Sequence, residues 1–332
     1  LELLGQDKDT RIRYAVAKHP NTPVATLELL ARDHDYDVRS CVAEHPNTTA
    51  TALEQLVREG DEEMRVLVAR HLNTPVSVLE QLVGEGEEAE VCVADNPNTT
   101  AAVLELLAGS SAVVVRCHVA RRSDAPAALL EQLAKDEDSH VVQNVAGNPN
   151  APVSVLEQLS TYRSTFVQAQ VAVNPNTPVS VVEELLQSRS RMIHMAVAKS
   201  LNTTSATLEQ LAKDSDNDVR SRVAGNPNTP GATLERLAQD WDDGVRSRVA
   251  ENPNTPAAAL EQLRDDENSQ VQTLSIGNPN TSASDLDALA HGTVRARMAV
   301  AMHPNTPVAT LEQMAQDSDK RVRQRVAENP NT

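Results

Sequence analysis

The sequence contains few aromatic residues and few cysteines, and it has no long apolar run. Only 2% of its 332 residues are aromatic, with one Trp and one Phe, so a core must be built from Leu, Val and Ala. The three cysteines, Cys41, Cys92 and Cys117, are odd in number and show no CxxC spacing, which argues against a disulfide scaffold or a zinc site. No run of about 18 apolar residues and no apolar signal segment is present. We therefore expect a soluble, cytoplasmic protein without a membrane span.

The charge is acidic overall but uneven along the chain. The formal net charge of −17 disfavours attraction to nucleic acid or to an anionic membrane, since both require a basic surface. Residues 109–200 hold 8 basic and 8 acidic side chains, whereas residues 1–108 hold 9 and 20. The middle of the chain is therefore depleted of acidic side chains.

One sequence pattern is repeated along the whole chain. The stretch RSRVAGNPNTPGATLERLAQD, residues 220–240, returns almost unchanged at residues 246–266. The residue after the Pro of NPNT, or its equivalent, marks each copy and occurs at Asn21, Asn47, Asn73, Asn98, Asp124, Asn150, Asn176, Asn202, Asn228, Asn254, Asn280, Asn305 and Asn331. Ten of the twelve intervals are 26 residues and two are 25. Such a period is typical of a solenoid, whose units bury their apolar faces only against their neighbours.

Each copy predicts two helices. The Thr after the marker is a good N-cap and the following Pro suits the first helical position. Leu residues six and nine positions past the marker, such as Leu27 and Leu30, form the core face of this helix. An Asp-rich turn then precedes a second, shorter helix, VRSRVA, with Val219 and Val223 on one face. We expect an all-α solenoid of about thirteen two-helix repeats of 26 residues, with no β-sheet.

The repeat extends from one end of the sequence to the other. We therefore expect a single solenoid domain over residues 1–332. Because the first and last residues fall inside a repeat, we also expect this chain to be a fragment of a longer protein, since solenoids normally finish with polar capping units.

The pattern VRxxVAxNPNTPxxxLExLAxDxDxxVR, found around Asn228, Asn254 and Asn305, resembles the leucine-rich repeat variant family, bacterial solenoids that alternate α-helices with 3₁₀-helices. The resemblance implies a right-handed superhelix and no catalytic activity. Some members carry an iron–sulfur cluster on an N-terminal cysteine-rich segment, which this sequence lacks, so no cofactor is implied. Whether the second helix is α or 3₁₀ stays open at this point.

Polar columns within the repeat raise the question of catalysis or metal binding. His19, His45, His71 and His303 all lie two residues before the marker, but Asn occupies the same position in seven other repeats. A polar residue that closes the helix end explains this column better than a metal ladder does, because stacked units lie too far apart for two imidazoles to share an ion. We expect no enzyme, no metal, no cofactor and no small-molecule substrate.

In eight of the thirteen repeats an arginine occupies one position near the start of the second helix, most often directly after a Val. This Arg column contains Arg13, Arg39, Arg65, Arg116, Arg220, Arg246, Arg297 and Arg323. Its guanidinium groups either form a structural ladder with the nearby aspartates or bind phosphates along one face. The second reading predicts a nucleic-acid-binding solenoid, which the net charge disfavours.

The central repeats lose the Asp-rich turn and keep basic and aromatic side chains, which are enriched at binding hot spots. The leading hypothesis is a non-catalytic scaffold whose curved surface binds a protein partner, with an acidic partner docking on these repeats. Drift in a tolerant repeat is the competing explanation. The candidate partner-binding residues are Arg116, Arg121, Arg122, Tyr162, Arg163, Phe166, Arg189 and Arg191, with Trp241 as a second anchor.

Overall fold

The computed structural model describes residues 1–58 and 60–332. Apart from the 3₁₀-helix η1 (Leu4–Gln6), the regular elements are α-helices, and no described residue lies in a β-strand. In chain order the helices are α1 (Thr10–Lys18), α2 (Val24–Leu30), α3 (Tyr36–Glu44), α4 (Ala50–Glu59), α5 (Glu62–Arg70), α6 (Val76–Leu82), α7 (Glu87–Asp95), α8 (Ala101–Leu107), α9 (Val113–Arg121), α10 (Ala127–Leu133), α11 (Ser139–Gly147), α12 (Val153–Leu159), α13 (Thr165–Val173), α14 (Val179–Leu185), α15 (Arg191–Lys199), α16 (Ser205–Leu211), α17 (Asn217–Gly225), α18 (Gly231–Leu237), α19 (Asp243–Glu251), α20 (Ala257–Arg264), α21 (Ser269–Gly277), α22 (Ala283–Leu289), α23 (Val294–Met302), α24 (Val308–Met314) and α25 (Lys320–Glu328).

The two helices of a repeat differ in length. A nine-residue helix such as α17 carries the Val-Arg segment, and a seven-residue helix such as α18 follows the NPNT turn. The expectation of a shorter Val-Arg helix was therefore wrong, because Pro230 lies at the N-cap of α18 and leaves only Gly231–Leu237 helical. Both helices of the repeat are α-helices, which answers the question that the resemblance left open.

The Thr after the marker closes the preceding helix and does not cap the next one. The Oγ1 of Thr229 donates to the carbonyl of Val223, six residues earlier, at 2.5 Å. The N-cap is instead Pro230, which makes no side-chain bond there. At positions 49 and 204, where Thr replaces the Pro, the hydroxyl oxygen accepts the N–H three residues later. The predicted N-cap role thus belongs to the position after the one assigned from the sequence.

The predicted Leu and Val columns form the core. Leu234 and Leu237 of α18 are 0% and 2% exposed, and Val245 and Val249 of α19 are fully buried. The nine-residue helices of successive repeats pack directly against one another, as α17 and α19 do, whereas the seven-residue helices contact each other less. Each repeat therefore completes its core with side chains of the neighbouring repeat.

The chain divides into two compact units, called here the first unit (Leu1–Leu159) and the second unit (Ser160–Thr332). Each is a stack of the same helix pair. The predicted all-α helical repeat solenoid is confirmed within each unit, and the single domain over residues 1–332 stays a prediction. Within the described part of the chain, no helix has both the length and the apolar character needed to cross a membrane.

The column two residues before the marker joins successive repeats by hydrogen bonds. In the second unit, the Nδ2 of Asn252 donates to the carbonyls of Ala224 (2.7 Å) and Asn226 (3.0 Å), and its Oδ1 accepts the N–H of Asn254 (2.9 Å). In the first unit, His45 does the same work: its Nε2 contacts the carbonyl of His19 at 3.0 Å, and its Nδ1 accepts a backbone N–H. These partners use both ring nitrogens, which is the role expected of a polar residue that closes the helix end.

Candidate functional site

The Arg column forms buried ion pairs between neighbouring repeats. Arg220 of α17 bonds the carboxylate of Asp240 through two nitrogens, with Nε–Oδ2 at 2.6 Å and Nη2–Oδ1 at 3.0 Å. Its Nη1 donates to the carbonyl of Asp214, six residues earlier, at 2.9 Å. One guanidinium group therefore ties together the turn before its own helix and the turn of the next repeat.

The same bidentate geometry recurs at a separation of twenty residues. The pairs are Arg13–Asp33, Arg116–Asp136, Arg220–Asp240, Arg246–Asp266 and Arg297–Asp317. Burial alone would raise the pKa of Asp240, but the hydrogen bonds from Arg220 and from the Asp242 N–H outweigh this effect and hold the pKa below its usual 3.8. The carboxylates are thus ionised, and their oxygens are hydrogen-bonded to the arginine and to the backbone of the turn.

The other members of the Arg column keep part of this arrangement. Arg65 contacts Glu85, with Nη1–Oε2 at 3.1 Å. The Nη1 of Arg39 donates to the carbonyl of Asp33 at 2.7 Å, and the position twenty residues after Arg39 lies outside the described residues. The Nη1 of Arg323 donates to the carbonyl of Asp317 at 2.6 Å. Arg39 and Arg323 therefore keep the bond to the carbonyl six residues earlier without the Arg–Asp pair.

Where the column has no Arg, the partner position is an aspartate only opposite His194. Glu90 accepts a hydrogen bond from the hydroxyl of Ser110 at 2.6 Å, and the Nδ1 of His194 contacts Asp214 at 2.8 Å. Twenty residues after Gln168 the chain has a serine, and twenty after Val142 it has a tyrosine. The central turns lack an aspartate where the preceding repeat lacks the arginine that would pair with it, as expected if an unpaired buried carboxylate is costly.

Three of the central arginines have acidic partners, which corrects the expectation drawn from the acid-depleted turns. Arg116 pairs with Asp136, as described above. Arg122 occupies the Asn/His column and bonds Asp124, while its Nη1 donates to the carbonyl of Ala94 at 2.6 Å. Arg191 contacts Asp216, with Nε–Oδ2 at 2.6 Å, and also Asp218. The partners of Arg116 and Arg191 belong to the next repeat, so the sequence could not reveal those two pairs, whereas Asp124 lies only two residues after Arg122.

The remaining candidate side chains are more accessible. The Nη2 of Arg121 lies 3.1 Å from His118 Nε2. Arg163 and Arg189 are exposed at the turns of successive repeats, and within the described residues neither has a carboxylate at ion-pair distance. Tyr162 is half-buried beside Arg163 in the chain.

The exposed aromatic side chains of the second unit lie at different places in the repeat. Trp241 is 75% exposed in a turn, with its ring 5.3 Å from the guanidinium of Arg220. Phe166 is 57% exposed on α13, and Met192, 26 residues later on α15, is 36% exposed. Phe166 and Met192 occupy equivalent positions in successive repeats, so they form an apolar strip on the layer of nine-residue helices.

The sequence reading missed a basic groove in the second unit. Lys199, Arg222 and Arg248 lie in or near the last turns of α15, α17 and α19 and line an open cavity of about 350 Å³. The second arginine in VRSRVA was visible as a pattern. Its grouping with Lys199 required the stacking of α15 on α17.

A family model described as leucine rich repeat variant matches residues 10–35, 113–138, 218–242, 243–268 and 294–319. No curated protein matches the chain.

Among solved structures, one described as a leucine-rich repeat variant with a novel repetitive structural motif is 26% identical. It covers 67% of this chain and 88% of its own, with a TM-score of 0.49. An engineered protein is 17% identical over 99% of this chain and 98% of its own, with a TM-score of 0.26. A chain from a structure of Kap95p binding to RanGDP is 10% identical over 96% of this chain and 55% of its own, with a TM-score of 0.35.

The five matched segments coincide with the repeat derived above, since each begins at or near the start of a nine-residue helix and ends in or next to the following Asp-rich turn. The resemblance inferred from the sequence is therefore confirmed over these five segments, which match the leucine-rich repeat variant model.

Proposed function

We propose that this chain is a non-catalytic binding scaffold whose protein partner docks on the nine-residue helices of the second unit, at α13 and α15. The observation that supports this proposal is the strip of Phe166 and Met192, flanked along the chain by the exposed Arg163 and Arg189. Aromatic, Met and Arg side chains are enriched in protein interfaces. A helical repeat solenoid is consistent with such a role, because its stacked units present an extended surface.

The polar columns that could carry chemistry have structural partners. The imidazole of His45 bonds two backbone groups of successive repeats, and the carboxylate of Asp240 is held by a buried guanidinium. Repeated residues used in this way stabilise the stack and leave recognition to positions that vary between repeats. This supports a binding role in place of catalysis.

The alternative function is nucleic-acid binding through the Arg column. That mechanism needs guanidinium groups free to contact phosphates. Arg220 and Arg246 are only 6% and 7% exposed and are bonded to Asp240 and Asp266. The Arg column therefore favours the structural role, and the exposed variable positions favour a protein partner. We expect the partner to be cytoplasmic.

The test is affinity capture from a native lysate with the chain and a surface variant carrying Phe166→Ser, Met192→Ser, Arg163→Glu and Arg189→Glu. A matched control carries Arg236→Glu, because Arg236 is exposed on the seven-residue helix α18 of the same unit. We expect the chain and the control to retain the same protein and the surface variant to lose it. Equal recovery by all three would contradict the proposed docking surface.

A further inference from the structure

The basic groove of the second unit has an open floor. Its lining includes Lys199 from α15, Arg222 and Gly225 from α17, and Arg248 from α19. Lys199 and Glu251 occupy the position of Gly225 in the adjacent repeats. Because Gly225 has no side chain, nothing at the end of α17 fills the space between α15 and α19. A Cβ at this position would lie 3.8 Å from Arg248 Cδ. The groove thus crosses three successive repeats.

The groove has an excess of available positive charge. Lys199 and Arg222 are exposed, and in the described part of the chain no carboxylate lies within ion-pair distance of either. Arg248 contacts Glu251, with Nη1–Oε2 at 2.8 Å, but both are exposed, and such a pair is weak in water. The acidic lining residue, Asp218, is already bonded by Arg191. These charges suit an anionic ligand.

The spacing of the cations selects the form of that ligand. Arg222 and Arg248 occupy equivalent positions in successive repeats, so they are separated by about the 8 to 10 Å that lies between packed helices. A polyproline II segment rises about 3.1 Å per residue with three residues per turn, which returns a side chain to the same face about every 9 Å. In a β-strand, side chains on one face recur at about 6.6 to 6.8 Å. The repeat spacing therefore matches the polyproline II period.

We propose that this groove binds an acidic peptide segment in the polyproline II conformation, with carboxylates three residues apart facing Arg222 and Arg248 and a further carboxylate facing Lys199 at the other end of the groove. The inference rests on the proposed function, since it assigns chemistry to part of the same protein partner. Met192 and Lys199 lie seven residues apart on α15 and so share one face of that helix. Lys199, at one end of the groove, therefore lies on the face of α15 that carries Met192, two turns away.

The experiment is fluorescence anisotropy with the full chain and labelled synthetic peptides. The test peptide contains four Glu-Pro-Pro triplets. A second peptide has the same composition with its glutamates clustered, a third has Gln in place of Glu, and a single-stranded DNA oligonucleotide represents a phosphate ligand. We expect the periodic acidic peptide to bind at least tenfold more tightly than the other three, and the affinity to fall as salt is raised.

Charge reversal identifies the site. The variant Lys199→Glu, Arg222→Glu and Arg248→Glu is expected to lose at least tenfold in affinity, while Arg236→Glu, on the other helix layer, is expected to bind as the unmodified chain does. All four substitutions are at exposed positions, and circular dichroism melting checks that the fold is retained.

Equal affinity for the clustered peptide, tighter binding of the DNA, or binding that survives charge reversal would overturn this inference. The capture experiment with the Phe166 and Met192 variant does not depend on these peptides. A partner captured through the apolar strip, combined with no periodic peptide binding, would leave the proposed function standing and remove only the acidic segment.

Discussion

Within the second unit, the repeats of α17 and α19 and those of α13 and α15 solve the same packing problem with different chemistry. Arg220 and Arg246 donate to the backbone carbonyl six residues earlier and pair with an aspartate of the next turn. His194 makes the same backbone contact through Nε2 at 2.7 Å, and Gln168 donates from Nε2 to Ser160 at 3.0 Å. In the second unit these four side chains all donate to the turn, and the buried charge pair is optional.

This difference accounts for the position of the proposed recognition residues Arg163 and Arg189, where the pairs are absent. A buried Arg–Asp pair constrains two turns at once, since removing either partner leaves an uncompensated charge. The repeats that contain Gln168 and His194 have no buried Arg–Asp pair, so their turns need not keep the residues that form one. Arg163 and Arg189 occupy these turns and face solvent.

Breaking one ion pair is expected to have the largest effect. Asp240→Ala removes the acceptor of Arg220 and of the Asp242 N–H and leaves a buried guanidinium unpaired. We expect the free energy of unfolding to fall by about 3 kcal/mol, measured as a lower midpoint in urea.

The control for Asp240→Ala is a double variant that places the uncharged residues of another repeat at both positions. In Arg220→Gln with Asp240→Ser, the two positions carry the same residues as Gln168 and Ser188. We expect this double variant to lose less than about 1.5 kcal/mol. A double variant less stable than Asp240→Ala would refute the view that the charge pair is optional.

The next largest loss of stability is expected from changes in the column of Asn and His residues two positions before the marker. Asn252→Ala leaves two carbonyls and the Asn254 N–H without their partner, which should cost about 2 kcal/mol. Asn252→His should cost much less, because His303 in the same unit bonds the Asn278 carbonyl through Nε2 at 2.8 Å and accepts an N–H through Nδ1. Equal loss in the Ala and His variants, compared by urea unfolding, would contradict this equivalence.

Acidic pH should reduce the contribution of the Arg–Asp pairs to the free energy of unfolding. Asp240 and Asp266 have pKa values lowered in the folded state, since the hydrogen bonds from arginine outweigh the opposing effect of burial. A lowered carboxyl pKa contributes stability above the unfolded value of about 3.9 and loses it as the pH falls through the folded value. The stability gap between the chain and the Arg220→Gln, Asp240→Ser variant should therefore shrink below about pH 4, as measured by urea midpoints. A gap that widens in acid would contradict this assignment.

The smallest effect is expected where the repeat already lacks arginine. His194→Gln keeps a donor for the turn, as Gln272 does when its Nε2 bonds the Asp266 carbonyl at 2.6 Å. We expect a change of less than about 1 kcal/mol in unfolding free energy. A loss as large as that of Asp240→Ala would show that the His194–Asp214 contact is essential to the stack.

Much of the fold could be predicted from the sequence, because the same core and capping positions recur in every repeat. The Leu columns identified the core, and the Asp turns identified the N-caps of the nine-residue helices, as at Asp242, whose Oδ1 accepts the Val245 N–H at 3.1 Å. The helix lengths were reversed because the roles of Thr229 and Pro230 were each placed one position off. Local propensity marks a helix boundary less sharply than the hydrogen bonds that end it.

The candidate site was less predictable. Arg116 and Arg191 looked free because the turns before their helices lack acidic residues, yet each has a carboxylate partner in the next repeat. The basic groove was missed for the same reason, since Lys199 and Arg248 meet only when three helices are stacked. A sequence pattern identifies the positions of a column but not the residue that each side chain meets.

By itself, the sequence determined the stride, the helix pair and the apolar columns, because these depend on spacing within one repeat. Only the tertiary structure decided which polar side chains are bonded within the stack and which are exposed to solvent. The physical reason is that hydrogen bonds and ion pairs act over a few ångströms, and residues that are twenty positions apart in the chain reach that distance only when repeats pack together.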